Sequence, residues 1–217
     1  MSANIPYELL HYVHKYYPIG MPSVYNHPRI KLERDLIVEK KISDIINDVR
    51  TPWMELINDL KRKELEIFDM AYTQFPSFML KIKIQEIGNP FENISFSRHL
   101  ILIVSLLCPF YTIFFENEYT VNNVKTEVRQ IGPKFRIFYQ KLLPEFSFGQ
   151  EELFSFIQQT TNSHFGSHTF LHHRIPFSHI ISENELQLEG ALVPGPYPIF
   201  SYLFDDSINY KNLEILS

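Results

Sequence analysis

Apolar positions along this chain recur at two periods, and the change between them divides the sequence. Over residues 4–16, Leu9, Leu10 and Val13 fall on one side of a short helix closed by Tyr16 and Tyr17. Three prolines and Gly20 between Tyr17 and Pro28 predict a loop. Val38, Ile42, Ile45, Ile46 and Val49 recur at helical spacing and predict a helix over 35–49. The next helix has the clearest start: Thr51 can cap it, Pro52 suits its first turn, and Trp53, Leu56, Ile57 and Leu60 form one stripe.

Beyond residue 65 the period drops to two. Leu80, Ile82 and Ile84 alternate with Lys81, Lys83 and Gln85, as in a strand with one wet face. Gly88-Asn89-Pro90 predicts a turn, and residues 98–107, apolar on both faces, predict a central strand covered by helices. Pro109 breaks the ladder; Phe110 to Phe115 continue as a strand, and Glu116-Asn117-Glu118 are expected to reach water. Residues 65–118 therefore read as an antiparallel meander.

The remainder is less regular. A helix is expected over 121–131 through Val124, Val128 and Ile131, a strand at Phe135, Ile137 and Tyr139, and a helix over 150–162 through Leu153, Phe154 and Ile157. After a loop at 190–198, Ile199 to Phe204 read as a last strand ending in Asp205-Asp206. The stretches Pro109–Glu116 and Pro198–Asp205 match in residue type at every position, which suggests two strands of similar burial. No low-complexity linker divides the chain. The expected architecture is a single α+β domain over 1–217, an antiparallel meander packed by helices, helical to about 63, sheet-forming over 65–118 and mixed over 119–217.

Composition narrows the function classes. At 217 residues, 45% hydrophobic and 21% charged, the chain is of ordinary globular make-up and long enough to bury its own core. Aromatics reach 15%, with 19 Phe and 12 Tyr against 7 Gly. Base composition of the coding sequence accounts for such a bias; so does a surface of aromatic anchors. The net charge of −5 and the absence of a basic stripe argue against direct nucleic-acid binding: Lys61-Arg62-Lys63 is flanked by Asp59, Glu64 and Glu66. A basic partner suits this charge better than an acidic one. Cys108 is the single cysteine, so no intrachain disulfide forms, and its apolar neighbours predict an inert buried thiol. The N-terminal residues lack a basic region followed by an apolar run, which points to the cytoplasm. Leu100 to Phe115 is nearly unbroken apolar sequence but shorter than the roughly 20 residues of a spanning helix, so no membrane association is expected.

The glycines, at 20, 88, 132, 149, 166, 190 and 195, permit neither a dinucleotide fingerprint nor a Walker loop. No nucleophile elbow, kinase signature or His-Glu-x-x-His is present, and neither catalytic residues nor a cofactor are predicted. His164, His168, His172 and adjacent His173, with His179 beyond, are the candidate metal ligands, with Glu183 and Glu185 nearby. Gly166 interrupts the helix that would stack them, and in a strand positions four apart lie about 13 Å from each other, too far to share an ion. Of the paired carboxylates, Glu151-Glu152 suit a helix N-terminus. Glu116, Glu118, Asp205 and Asp206 sit where strands are expected to leave the core, and form the candidate partner-binding rim.

The segments His99–Tyr119 and Tyr197–Asp206, apolar and aromatic runs that end in carboxylates, resemble the bacterial immunity proteins of polymorphic toxin systems. That resemblance implies a small cytoplasmic α+β protein that binds and neutralises a toxin domain; it transfers no functional residue. The leading expectation is thus a protein-binding module whose partner is a basic toxin domain. Two other readings stay open: a metal-dependent enzyme using the 164–179 histidines, and a structural or regulatory subunit assembling through an aromatic surface.

Overall fold

A computed structural model describes residues 4–17, 19, 28–71, 75–91, 94–121, 134–139, 149–182, 188, 195–205 and 213–215. Three helices come first: α1 (Ile5–Tyr16), α2 (Pro28–Ile46) and α3 (Pro52–Lys61). Thr51 caps α3 as expected, its hydroxyl accepting from the Met54 amide at 3.3 Å, with Pro52 in the first turn. The second predicted helix begins earlier, at Pro28, and ends before Val49. It closes in a Schellman motif: Val49 N–H donates to Asp44 O at 2.9 Å, Asp48 N–H to Ile45 O at 3.2 Å, and Asp48 takes φ 54°.

The sheet follows: β1 (Ile67–Asp69), β2 (Ser77–Phe91), β3 (Ile94–Ser105), β4 (Phe110–Val121) and β5 (Lys134–Tyr139). Consecutive strands pair antiparallel, as the α+β meander predicts. The Gly88-Asn89-Pro90 turn is a correction. Strand β2 runs through it with a register irregularity between Ile87 and Phe91, and the chain reverses between the paired residues Phe91 and Ile94. The predicted helix at 121–131 lies outside the described residues. Helix α4 (Gly149–His164) covers the expected 150–162; β6 (Thr169–Phe170), α5 (Arg174–Ser178), β7 (Ile180–Ile181), β8 (Tyr197–Pro198), α6 (Ile199–Leu203) and β9 (Leu213–Ile215) complete the order. Strand β6 pairs parallel with the start of β4, and β9 parallel with β5.

Alternation along β3 explains why it is apolar on both faces. Ile101 and Ile103, with Phe114 of β4, pack against Leu9 and Val13 of α1, Phe177 of α5 and Phe200 and Leu203 of α6. Leu100, Leu102 and Val104, with Ile113 and Phe115, pack against Trp53, Leu56 and Leu60 of α3 and Ile157 of α4. The sheet therefore has helices on both sides. Trp53 anchors the second side: it is fully buried, stacks on Phe78 at 5.0 Å, and its indole donates to Asp69 at 3.2 Å. The described aromatics lie mostly inside; Tyr7 and Phe68 are the exposed Tyr, Phe or Trp side chains among them.

The last predicted strand is a helix, and its surroundings say why. All five residues of α6 are buried, so the apolar run carries no alternation to separate strand from helix. The terminal carbonyls that a helix leaves open are taken by distant hydroxyls: Tyr17 donates to Tyr202 O (2.8 Å), Ser105 to Leu203 O (2.6 Å) and Ser77 to Phe204 O (2.6 Å). In the matching stretch Pro109–Glu116, residues 110–116 belong to β4, so local composition did not decide between the two conformations. Lys41 of α2 is also buried; its ammonium donates to Phe75 O (2.8 Å) and Ser77 O (3.1 Å), and burial lowers its pKa to about 8. Cys108 is buried as expected, and burial pushes its thiol up to about 12. No helix among the described residues is long and apolar enough to cross a membrane.

Candidate functional site

Of the four candidate metal-binding histidines, His172 and His173 lie together, while His164 and His168 go to separate environments. His164 ends α4 and faces α3. His168 donates from Nε2 to Ser105 O at 3.2 Å, and its pKa is lowered by burial. His172 accepts the Arg174 amide at Nδ1 (3.3 Å) and stacks on His173 at 4.9 Å. His173 is fully buried beside Phe114 and Phe177; burial, with His172 and Arg174 adding to it, lowers its pKa to about 3. His179 donates to Ile175 O at 2.7 Å. Among the described residues no group of three or more His, Cys, Asp or Glu side chains is placed to hold a metal ion. Glu183 and Glu185 lie outside them.

The carboxylates expected in water are inside. Glu116 is 3% exposed, Glu118 8% and Asp205 2%, which corrects the solvent-facing rim; Asp206 lies outside the described residues. The cause is the length of β4, which continues past Phe115 and pairs through Thr120 with β3 on one edge and β5 on the other. Lys81 of β2 answers both glutamates on the α1-facing side, at 2.7 Å from Glu116 and 3.1 Å from Glu118, and His99 Nδ1 lies 4.0 Å from Glu116. Asp205 lies one residue past the Phe204 cap of α6, its amide donating to Phe200 O at 3.3 Å.

A second ionic group faces solvent along the seam between α3 and α4. The polar side of α3, opposite its Trp53 stripe, carries Glu55, Asn58 and Asp59, with Arg62 just beyond. Asp48 and Arg50 come from the turn after α2, and His164 from the last turn of α4. These residues and Met54 line a cleft of about 570 Å³. Arg50 Nε donates to Glu55 Oε1, whose Oε2 lies 3.7 Å from His164 Nδ1. His164 Nε2 stands 2.9 Å from Asp59 Oδ2, and Asp59 Oδ1 accepts from Arg62 at 2.8 Å. The result is a row, arginine–glutamate–histidine–aspartate–arginine, in which each carboxylate turns one oxygen to an arginine and the other to the imidazole. No protein-family model, curated protein or solved structure matches the chain.

Three carboxylates against two guanidinium groups leave the lining one negative charge while His164 is neutral. The chain segment that supplies Asp48 and Arg50 to it also carries two exposed apolar side chains, Ile46 (75% exposed) and Val49. Asp48 also occupies the left-handed position that glycine or asparagine usually fills at a helix end, and there it contributes a carboxylate to the cleft. Sequence reasoning passed over this site. Its signal was the four-residue spacing of Glu55 and Asp59 on a face already known to be polar; nothing local linked that face to His164, 105 positions along from Asp59.

Proposed function

We propose that the chain is a cytoplasmic protein-binding module that neutralises a partner protein, in the manner of the bacterial immunity proteins that parts of its sequence resemble. The observation that carries this reading is the exposure of Ile46 and Val49 on the same short chain segment that supplies Asp48 and Arg50 to the charged cleft of the α3–α4 seam. An apolar centre that excludes water beside charged groups that set orientation is the anatomy of a recognition surface. The net charge of −5 and the negative lining favour a basic partner and speed its approach. The seam takes the role first expected of Glu116, Glu118 and Asp205, whose burial withdraws them from direct contact.

The test places a photo-crosslinking residue at Ile46, in cells that make the protein, with Ile180 as the control position. One protein should join at 46 and not at 180. Once purified, it should bind the wild type one to one and bind Ile46→Asp about thirtyfold more weakly, as for the loss of an anchor worth about 2 kcal/mol. Producing that partner alone should arrest growth, and co-production of this chain should restore it. A partner whose action is unaffected by this chain, or no adduct specific to position 46, overturns the reading.

A further inference from the structure

His164 is placed where its two protonation states do different things. A neutral imidazole has one N–H to donate. Asp59 Oδ2 lies 2.9 Å from Nε2 and can only accept, so the neutral ring spends its proton there and turns the Nδ1 lone pair toward Glu55 Oε2, 3.7 Å away. Two acceptors then face each other across a gap slightly beyond hydrogen-bond reach. A proton at Nδ1 makes the ring a donor to both carboxylates and cancels the single negative charge of the lining. The change is one of donor count: one N–H in the neutral ring, two in the protonated ring.

The surroundings leave the step to this ring. From α3 and its flanks the charged groups are Glu55 and Asp59, then Arg50, Arg62 and Asp48 one place further out. Lys63 reaches α4 at the Phe156 ring, 5.3 Å away. From the sheet, Tyr111 donates to Asn162 Oδ1 at 2.6 Å, and burial raises its phenol above the usual range, so it stays neutral. Along the chain His168 is engaged with Ser105 O.

We propose that His164 is a proton-operated clasp: uptake of a proton at Nδ1 gives Glu55 Oε2 a donor, closes the α3–α4 seam and removes the cleft's negative charge, so that a basic partner held at neutral pH is released in acid. The clasp itself concerns this chain alone, whereas the release of a partner rests on the protein-binding reading above.

A double-mutant cycle on the folding equilibrium tests the clasp, using His164→Asn with Glu55→Gln and with Asp59→Asn at about pH 8 and about pH 5.5. The 59–164 coupling should appear at both values. The 55–164 coupling should be absent at the higher pH and reach about fivefold in the folding constant at the lower, a selectivity that a purely structural histidine does not produce. A 55–164 coupling equal at the two values, or absent at both, overturns the clasp. For a partner captured at Ile46, affinity should fall about fivefold between the two values in wild type and stay level in His164→Asn. A captured partner with pH-independent affinity sinks the release and leaves the protein-binding reading standing. A pH-gated 55–164 coupling with no partner at Ile46 does the reverse.

Discussion

The chain holds two ionic clusters of nearly the same chemistry in opposite settings. On the sheet, Lys81, Glu116, Glu118 and His99 meet beneath cover; on the α3–α4 seam, Arg50, Glu55, His164, Asp59 and Arg62 meet at the surface. Taking a charge out of water costs several kcal/mol, so the sheet cluster holds only while its members stay together. The seam arginines are 85% and 78% exposed, where ion pairs contribute about 0–1 kcal/mol and change partners cheaply. The first cluster ties β2, β3 and β4 together across their pairing; the second lies in water at the surface.

Removing one member from each cluster should expose the contrast most strongly. Lys81→Met takes away the ammonium that lies 2.7 Å from Glu116 and 3.1 Å from Glu118 and should cost about 3–5 kcal/mol in denaturant unfolding. A loss under about 1 kcal/mol would erase the distinction between the clusters.

The two kinds of histidine sharpen it next. His173 is held neutral, with its pKa lowered from 6.5 to about 3. The unfolded chain therefore binds a proton that the folded chain refuses. Its stability contribution is complete above pH 6.5 and is lost as pH falls toward 3, by at most about 1.4 kcal/mol per pH unit. His173→Phe, if it folds, should flatten the acid limb of the stability curve in that window. An unchanged limb would show that His173 is not held neutral.

Smaller effects belong to the seam. Asp48→Gly relieves a left-handed aspartate and should raise stability by up to about 1 kcal/mol while weakening partner capture, a trade visible as a higher melting temperature. Arg50→Ala and Arg62→Ala should each change stability by no more than about 0.5–1 kcal/mol, and added salt should erase the difference.

How far this was legible differed by element. The cap and proline that start α3 are local signals and gave its first turn correctly; the two-faced apolar run gave β3 and its helices on both sides. Ile199–Leu203 misled because an apolar run buried on every side has no period, and three hydroxyls remote in sequence supply what makes it helical. Glu116 and Glu118 misled because a charge beside an apolar run usually marks its exit to water, whereas here β5 pairs along the outer edge of β4 and Lys81 answers from two strands away. Of the seam, the polar face of α3 was readable, but its junction with α4 is tertiary and leaves no local trace.

The hydroxyls that hold α6 also constrain how the molecule comes into being. They join residues 185, 98 and 127 positions apart, so one side of the sheet waits for a segment made long after the strands it covers. A ribosome must deliver nearly everything described here before that side can close. Until then Ile101, Ile103 and Phe114 lack the share of their cover that Phe200 and Leu203 supply, a long-range closure of the kind that slows folding.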